Sequence, residues 1–167
     1  MSSFGSSAKR VEDPVLLRGE GKFTDDIHLP GLLTAAMLRS PYAHARIKSI
    51  DTTTALELDG VHLILKNSDL ALEYTTTELP LMVPNPLITK PVTPHMLAKD
   101  YVRYVGEPVA LIVAEDRYIA EDALEKVIVD YEPLPVASDF REAVERNAAT
   151  AHHGLEDNIC AEFVQSF

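Results

Sequence analysis

Residues 109–133 read VALIVAEDRYIAEDALEKVIVDYEP, and this stretch decides the fold. Val109 to Ala114 is an unbroken apolar run of strand length, so Val109–Glu115 reads as a strand buried on both faces. Asp116 follows, a residue whose carboxylate accepts a bond from a free first-turn amide. It opens a predicted helix over Arg117–Lys126. Ile119, Ala120, Ala123, Leu124 and Val127 recur at helical spacing and form one apolar stripe. Val127–Glu132 then reads as a second strand, closed by Pro133 and Pro135. The stretch is a strand–helix–strand unit.

A second unit of the same kind lies upstream, over residues 45–65. Ala45–Ile50 alternates in part, with Ile47 and Ile50 apolar and Arg46 and Lys48 polar. Asp51 is placed to cap a short helix reaching Leu58. Asp59-Gly60 supplies a residue suited to positive φ at its end, and Val61–Leu65 reads as the next strand. A right-handed crossover is expected wherever two such strands pair in parallel. Leu32–Arg39 reads as a further buried strand, stopped at Ser40-Pro41 because the residue before proline is held extended. Tyr101–Val105 reads as a strand turned by Gly106. Asn67–Leu72 is expected to be a brief turn or helix. Asp139-x-x-Glu142 has the form of a capping box, which predicts a short helix over Phe140–Arg146. Ile159–Phe167 alternates weakly, as a strand without a local partner. Arg18–Pro30 reads as a loop.

These elements make an α+β domain, a mixed sheet with short helices and two strand–helix–strand units. Residues 1–9 are expected to be a flexible leader, 10–147 the domain, and 148–167 a linker or the start of a further portion. Between Glu73 and Lys99 fall five of the eleven prolines. Proline cannot sit inside a sheet ladder, so this is a long irregular excursion and the best candidate for a partner-facing segment.

Composition narrows the function. The 167 residues carry a net charge of −11, which repels phosphate backbones and anionic membrane surfaces. The single cysteine, Cys160, excludes an internal disulfide and, alone, an iron–sulfur cluster. A reducing, cytoplasmic setting fits. The Ser-rich start lacks the apolar core of a signal peptide, and the longest apolar run is too short to span a bilayer.

No motif assembles a site. Gly19-Glu20-Gly21 lacks the third glycine of a dinucleotide loop and reads as a surface turn. His152-His153 reads as a solvated pair, since adjacent side chains diverge from a common metal. His28, His44, His62 and His95 are isolated and read as structural. Cys160 has no basic neighbour and reads as a buried or half-buried inert thiol. Ser40 precedes proline and sits on no nucleophile elbow. Asp25-Asp26 has the chemistry for a hard cation, but spacing alone shows no convergence. No catalytic, cofactor-binding or metal-ligating residue is assigned.

Taken in order, several stretches resemble the amino-terminal part of the large subunit of molybdenum hydroxylases, the xanthine dehydrogenase, aldehyde oxidase and carbon monoxide dehydrogenase family. They are Arg10–Asp13, Leu17–Asp26, Pro30-Gly31, Arg39–Ile47, Gly60-Val61, Val105–Ala110, Asp122-Ala123 and Val129–Pro135. The resemblance implies an α/β hammerhead domain that packs against molybdenum-bearing domains. It also implies molybdopterin, 2Fe-2S and FAD in the full complex, with none bound by this chain alone. The implied partners are a molybdopterin-binding catalytic chain or domain, an iron–sulfur subunit and an FAD subunit. The family's pterin-contacting glycine segments and catalytic glutamate have no counterpart here. The family enters that portion near Phe167, which implies a separately encoded fragment of the large subunit or a truncated product.

Of the matched residues, Gly106 suits a tight turn. Glu107 reads as a local hydrogen-bond acceptor or a contact to another domain. Arg39 is placed to pair with a carboxylate, in a structural or an interface role. The resulting expectation is a non-catalytic domain or subunit supporting assembly of a molybdenum-bearing large subunit, and it predicts an apolar patch where the catalytic domain would pack. The alternative is a free-standing binding or regulatory module with a mostly polar surface and an ordered tail after Ala148. A third reading, a small hydrolase or lyase using His44 or His95, requires a pocket that holds the histidine against a carboxylate.

Overall fold

A computed structural model describes residues 5, 7, 9–81, 85–90 and 92–165. The expected flexible leader falls largely outside the described residues. The chain divides into two compact units, Met1–Leu32 and Leu33–Phe167. The first holds a one-turn helix, α1 (Asp13–Leu17), and a 3-10 turn at Thr24–Asp26. Sequence periodicity did not reveal α1. It has an acidic first turn and a proline where the amide has no helical partner.

The second unit contains β1 (Thr34–Arg39), β2 (Ala45–Asp51), α2 (Thr53–Leu56), β3 (Val61–Lys66), α3 (Asn67–Glu73), β4 (Tyr101–Val102), β5 (Pro108–Ala114), α4 (Arg117–Lys126) and β6 (Ile128–Pro133). The class is the α+β one expected. The strands form two three-stranded sheets, ordered β1-β5-β3 and β4-β2-β6. Every pairing is antiparallel, so the crossover rule for parallel pairs has nothing to act on. Each strand–helix–strand unit instead passes from one sheet to the other: β2 and β3 lie in different sheets, as do β5 and β6.

The apolar run 109–114 is central in its sheet, which is why it carries no polar alternation. Val109, Ala110, Ile112 and Ala114 are fully buried. Ala110 and Ile112 join Ala55, Ile64, Ala123 and Val127 in one cluster. Val109 joins Ala45, Ala98 and Val102 in another. Ile50 and Val129 pack against both and tie the sheets together. β1 slips register between Leu38 and Arg39, where it meets Pro108, a residue with no amide to donate.

Helix α4 forms where expected. Asp116 Oδ1 accepts the Ile119 amide at 2.9 Å, and Ala120 and Ala123 face the core. Gly60 sits at φ 86°, a conformation that calls for glycine, and a Cβ there would lie 2.8 Å from Ile119 Cδ1, whose end would have to swing aside.

Several expectations are corrected. β1 begins at Thr34 and its burial alternates, so it is half-buried rather than buried; it is an edge strand. Asp51 accepts the Thr53 amide at 2.9 Å, but Thr52 holds the N-cap position and α2 ends at Leu56. The strand from Tyr101 stops at Val102, because residues 103–107 form a turn. Phe140–Arg146 is a run of turns, not a helix. Asp139 Oδ1 accepts the Arg141 amide and its carboxylate pairs with the Arg141 guanidinium. Within 159–165, Ala161 makes an isolated bridge to Ile88, so that segment's partner is the proline-rich excursion.

Candidate functional site

The polar interior of the second unit is built by two facing loops. The turn after β4 has Gly106 at φ 90° with open space around its α-carbon. Gly106 donates its amide to Ser40 O at 2.8 Å, and Ser40 donates its own to Glu107 O at 2.9 Å. Arg39 Nη1 donates to Gly106 O at 2.9 Å. Arg39 therefore binds a carbonyl rather than the expected carboxylate, and clamps the turn. Ser40 is buried, and its hydroxyl bonds the backbone of Tyr42.

This clamp drives Glu107 inward, to 1% exposure. Its Oε2 accepts the Arg103 amide at 2.5 Å. Arg103 Nη2 lies 2.9 Å from Oε1, an ion pair whose approach is off the hydrogen-bonding direction. Among the described residues, Oε1 and Arg103 Nε have no hydrogen-bond partner. Glu107 takes the local-acceptor role, and Arg103 is the partner that sequence reading missed. The opposite charges four residues apart across a glycine turn were the available signal.

Beside this turn lies a cleft of about 330 Å³, lined by Glu78, His95, Lys99, Arg103, His152 and neighbours. Asn67, itself buried, donates to Thr77 Oγ1 at 3.0 Å and to Leu97 O at 2.8 Å. The Thr77 hydroxyl meets His95 Nδ1 at 2.9 Å. His95 Nε2 stands 4.0 Å from Glu78 Oε1, beyond hydrogen-bond reach. Burial and then the Arg103 charge hold the His95 pKa below its ordinary value, against an opposing pull from Glu78. His152 is lowered likewise, first by burial and then by Arg103. His153 stacks on Tyr101 with ring centroids 4.5 Å apart. The histidine pair read as solvated is therefore partly docked. Among the described residues, no group of three or more metal-ligating side chains converges.

The remaining candidates are dispersed. His44 is buried, with Nδ1 2.9 Å from Pro135 O. His95 has no carboxylate within hydrogen-bond reach among the described residues, and the hydroxyl on its ring belongs to buried Thr77, already engaged by Asn67. The arrangement is a structural tie across the neck of the 73–99 excursion rather than a nucleophile and base. Cys160 is exposed, contrary to expectation; its carbonyl accepts the Thr89 amide at 2.9 Å. Asp26 Oδ2 accepts the Phe23 amide at 2.9 Å, which makes it a local cap. Gly19, at φ 70°, forms the surface turn that was read.

The family model for the a/b hammerhead domain of aldehyde oxidase and xanthine dehydrogenase matches residues 18–135. The chain belongs to that family. This hammerhead domain is 40% identical over 162 residues to the carbon monoxide dehydrogenase large chain of Afipia carboxidovorans, covering 95% of this chain and 19% of that one. It is 43% identical over 155 residues to the nicotine 6-hydroxylase large subunit of Paenarthrobacter nicotinovorans, covering 93% and 18%. Quinoline 2-oxidoreductase from Pseudomonas putida 86 matches in structure with TM-score 0.80 and 38% identity, over 96% of this chain and 20% of that one. The chain spans about a fifth of the length of the curated relatives it matches. Of the side chains that line the cleft, His95 is bonded through Nδ1 to the Thr77 hydroxyl and Arg103 is paired with Glu107.

Proposed function

We propose that this hammerhead domain is a non-catalytic part of a molybdopterin-dependent hydroxylase or dehydrogenase, supporting assembly of the molybdenum-bearing large subunit in the cytoplasm. Molybdopterin, 2Fe-2S and FAD belong to the full complex, on a catalytic chain or domain, an iron–sulfur subunit and an FAD subunit. One observation carries the reading. The three phenylalanines among the described residues, Phe23, Phe140 and Phe163, are 65%, 80% and 72% exposed. The buried core meanwhile is largely alanine and valine. A free monomer normally buries its large aromatics first. Large apolar side chains left this exposed, Phe140 with Val144 and Phe163 with Val164 close by in the chain, support a surface that another protein covers.

The alternative of a free-standing module finds support in the tail. Asn158 donates to Ala143 O and Ala149 O at 2.9 Å each, and Lys90 pairs with Asp157. Its other requirement, a mostly polar surface, is at odds with the exposed aromatics, so the assembly reading is preferred.

Co-expression with a molybdopterin-bearing catalytic chain from the same source, followed by affinity capture, tests the proposal. A stoichiometric complex that Phe140→Asp or Phe163→Asp weakens supports it. Failure to form any complex, or molybdenum-dependent turnover by the 18.4 kDa chain alone, overturns it.

A further inference from the structure

The sheet β1-β5-β3 has two faces, and the second unit covers them unequally. On one, α4 packs against all three strands, over the fully buried Ala110, Ile112 and Ala114 of β5. Residues of the other parity stand on the opposite face. The ladder registers align them in two cross-strand rows, Ala35–Val113–Leu63 and Met37–Leu111–Leu65. Among the described residues, none of these six joins either buried cluster or packs against one. Met37 and Leu63, on the outer strands, are 41% and 43% exposed. Leu111 and Val113 are half-buried between them. Cover is present only at the start of β5, where Ala45, Ala98 and Val102 meet Val109. An antiparallel sheet that faces water on one side carries polar side chains there, and these rows carry none. The unbroken apolar run of β5 is the sequence of a strand covered on both faces.

Size and charge narrow what covers the face. Two outward positions on each of three strands, about 6.7 Å apart along the strand and about 4.8 Å across, span roughly 200 Å². A stable dimer buries about 800 Å² on each partner, so two copies meeting here alone fall well short. Each copy would also bring a net charge of −11 against the other. The area suits one contact within a larger interface to a different surface. Arg39 continues the exposed parity of β1. Among the described residues its guanidinium bonds the Gly106 carbonyl and has no ion pair, so a carboxylate on the partner would complement it. We infer that the open face of β1-β5-β3 docks an aliphatic surface of the molybdopterin-bearing catalytic chain, with a carboxylate of that chain opposite Arg39. The inference rests on the assembly function proposed above and names a surface through which it acts.

Hydroxyl-radical footprinting of the full chain, alone and in the co-expressed complex, tests this without a variant. Oxidation at Met37 is read by mass spectrometry, and the expected result is several-fold slower oxidation in the complex. Affinity measurements add a second arm. Leu63→Asp is expected to raise the Kd for the catalytic chain at least about tenfold, and Leu63→Thr, a change that suits an exposed strand, about threefold. A complex that forms with Met37 oxidised as fast as in the chain alone, or with both Kd values unchanged, overturns the docking face and leaves the assembly function standing. Failure to form any complex overturns both. Met37 already protected in the dilute chain alone, or self-association that Leu63→Asp abolishes, also overturns the inference, because the chain then covers the face itself.

Discussion

Replacing Glu107 by alanine tests the account of the turn most severely. The carboxylate is 1% exposed and the Arg103 side chain only 14%, so the substitution leaves a guanidinium in the interior without its counter-charge. It also removes the acceptor for the Arg103 amide. Breaking a buried pair from one side costs about 3–5 kcal/mol. For a chain of this length each kcal/mol moves the Tm by roughly 2–4 °C, so the expected drop is about 6–20 °C. Urea unfolding followed by circular dichroism gives the free energy, and a thermal scan gives the Tm. The paired variant Arg103→Met/Glu107→Leu removes both charges together and is expected to recover more than about 1.5 kcal/mol of the loss, read as a double-mutant coupling. If Glu107→Ala costs under about 1 kcal/mol, or the double variant is no better than the single, the pair is not the buried lock described above.

Asp116→Ala removes the cap of α4 and is expected to cost about 1 kcal/mol in urea unfolding, while Asp116→Asn retains most of it. Gly60→Ala and Gly106→Ala both force alanine to positive φ, at about 1–2 kcal/mol. Only Gly60 also confronts Ile119 Cδ1, at 2.8 Å, so Gly60→Ala is expected to be the more damaging by chemical denaturation. His95 titrates in the folded chain below its ordinary value of 6.5, so between those two values the unfolded state binds more protons. Stability contributed by neutral His95 is present above about pH 6.5 and is lost as the pH falls below it toward the folded value. His95→Gln is expected to flatten that acid-side slope, and an unchanged slope in pH-dependent urea midpoints counts against it.

Local sequence alone determined the elements whose causes are local. The apolar run from Val109, the Asp116 cap and the stripe through Ala120 and Ala123 specify a buried strand and an amphipathic helix, because burial periodicity and capping act within a few residues. Between 73 and 99, where the prolines fall, pairing is limited to isolated bridges, Glu78 to His95 and Ile88 to Ala161, for an equally local reason. The order of stretches such as Val105–Ala110 carried the resemblance to the family that the match over residues 18–135 shows. What the tertiary structure alone decided involves partners distant in the chain. The strand–helix–strand units gave no hint that their strands belong to two antiparallel sheets, since pairing depends on which edge is free once β5 and β2 take the centres. The helix expected at Phe140–Arg146 is a run of turns, in which Asp139 pairs with Arg141. Glu107 became a buried anion only because Ser40, 67 residues earlier in the chain, clamps its backbone. Hydrogen bonds and charges between loops are set by where the sheets bring those loops, and that geometry exists only after the core has formed.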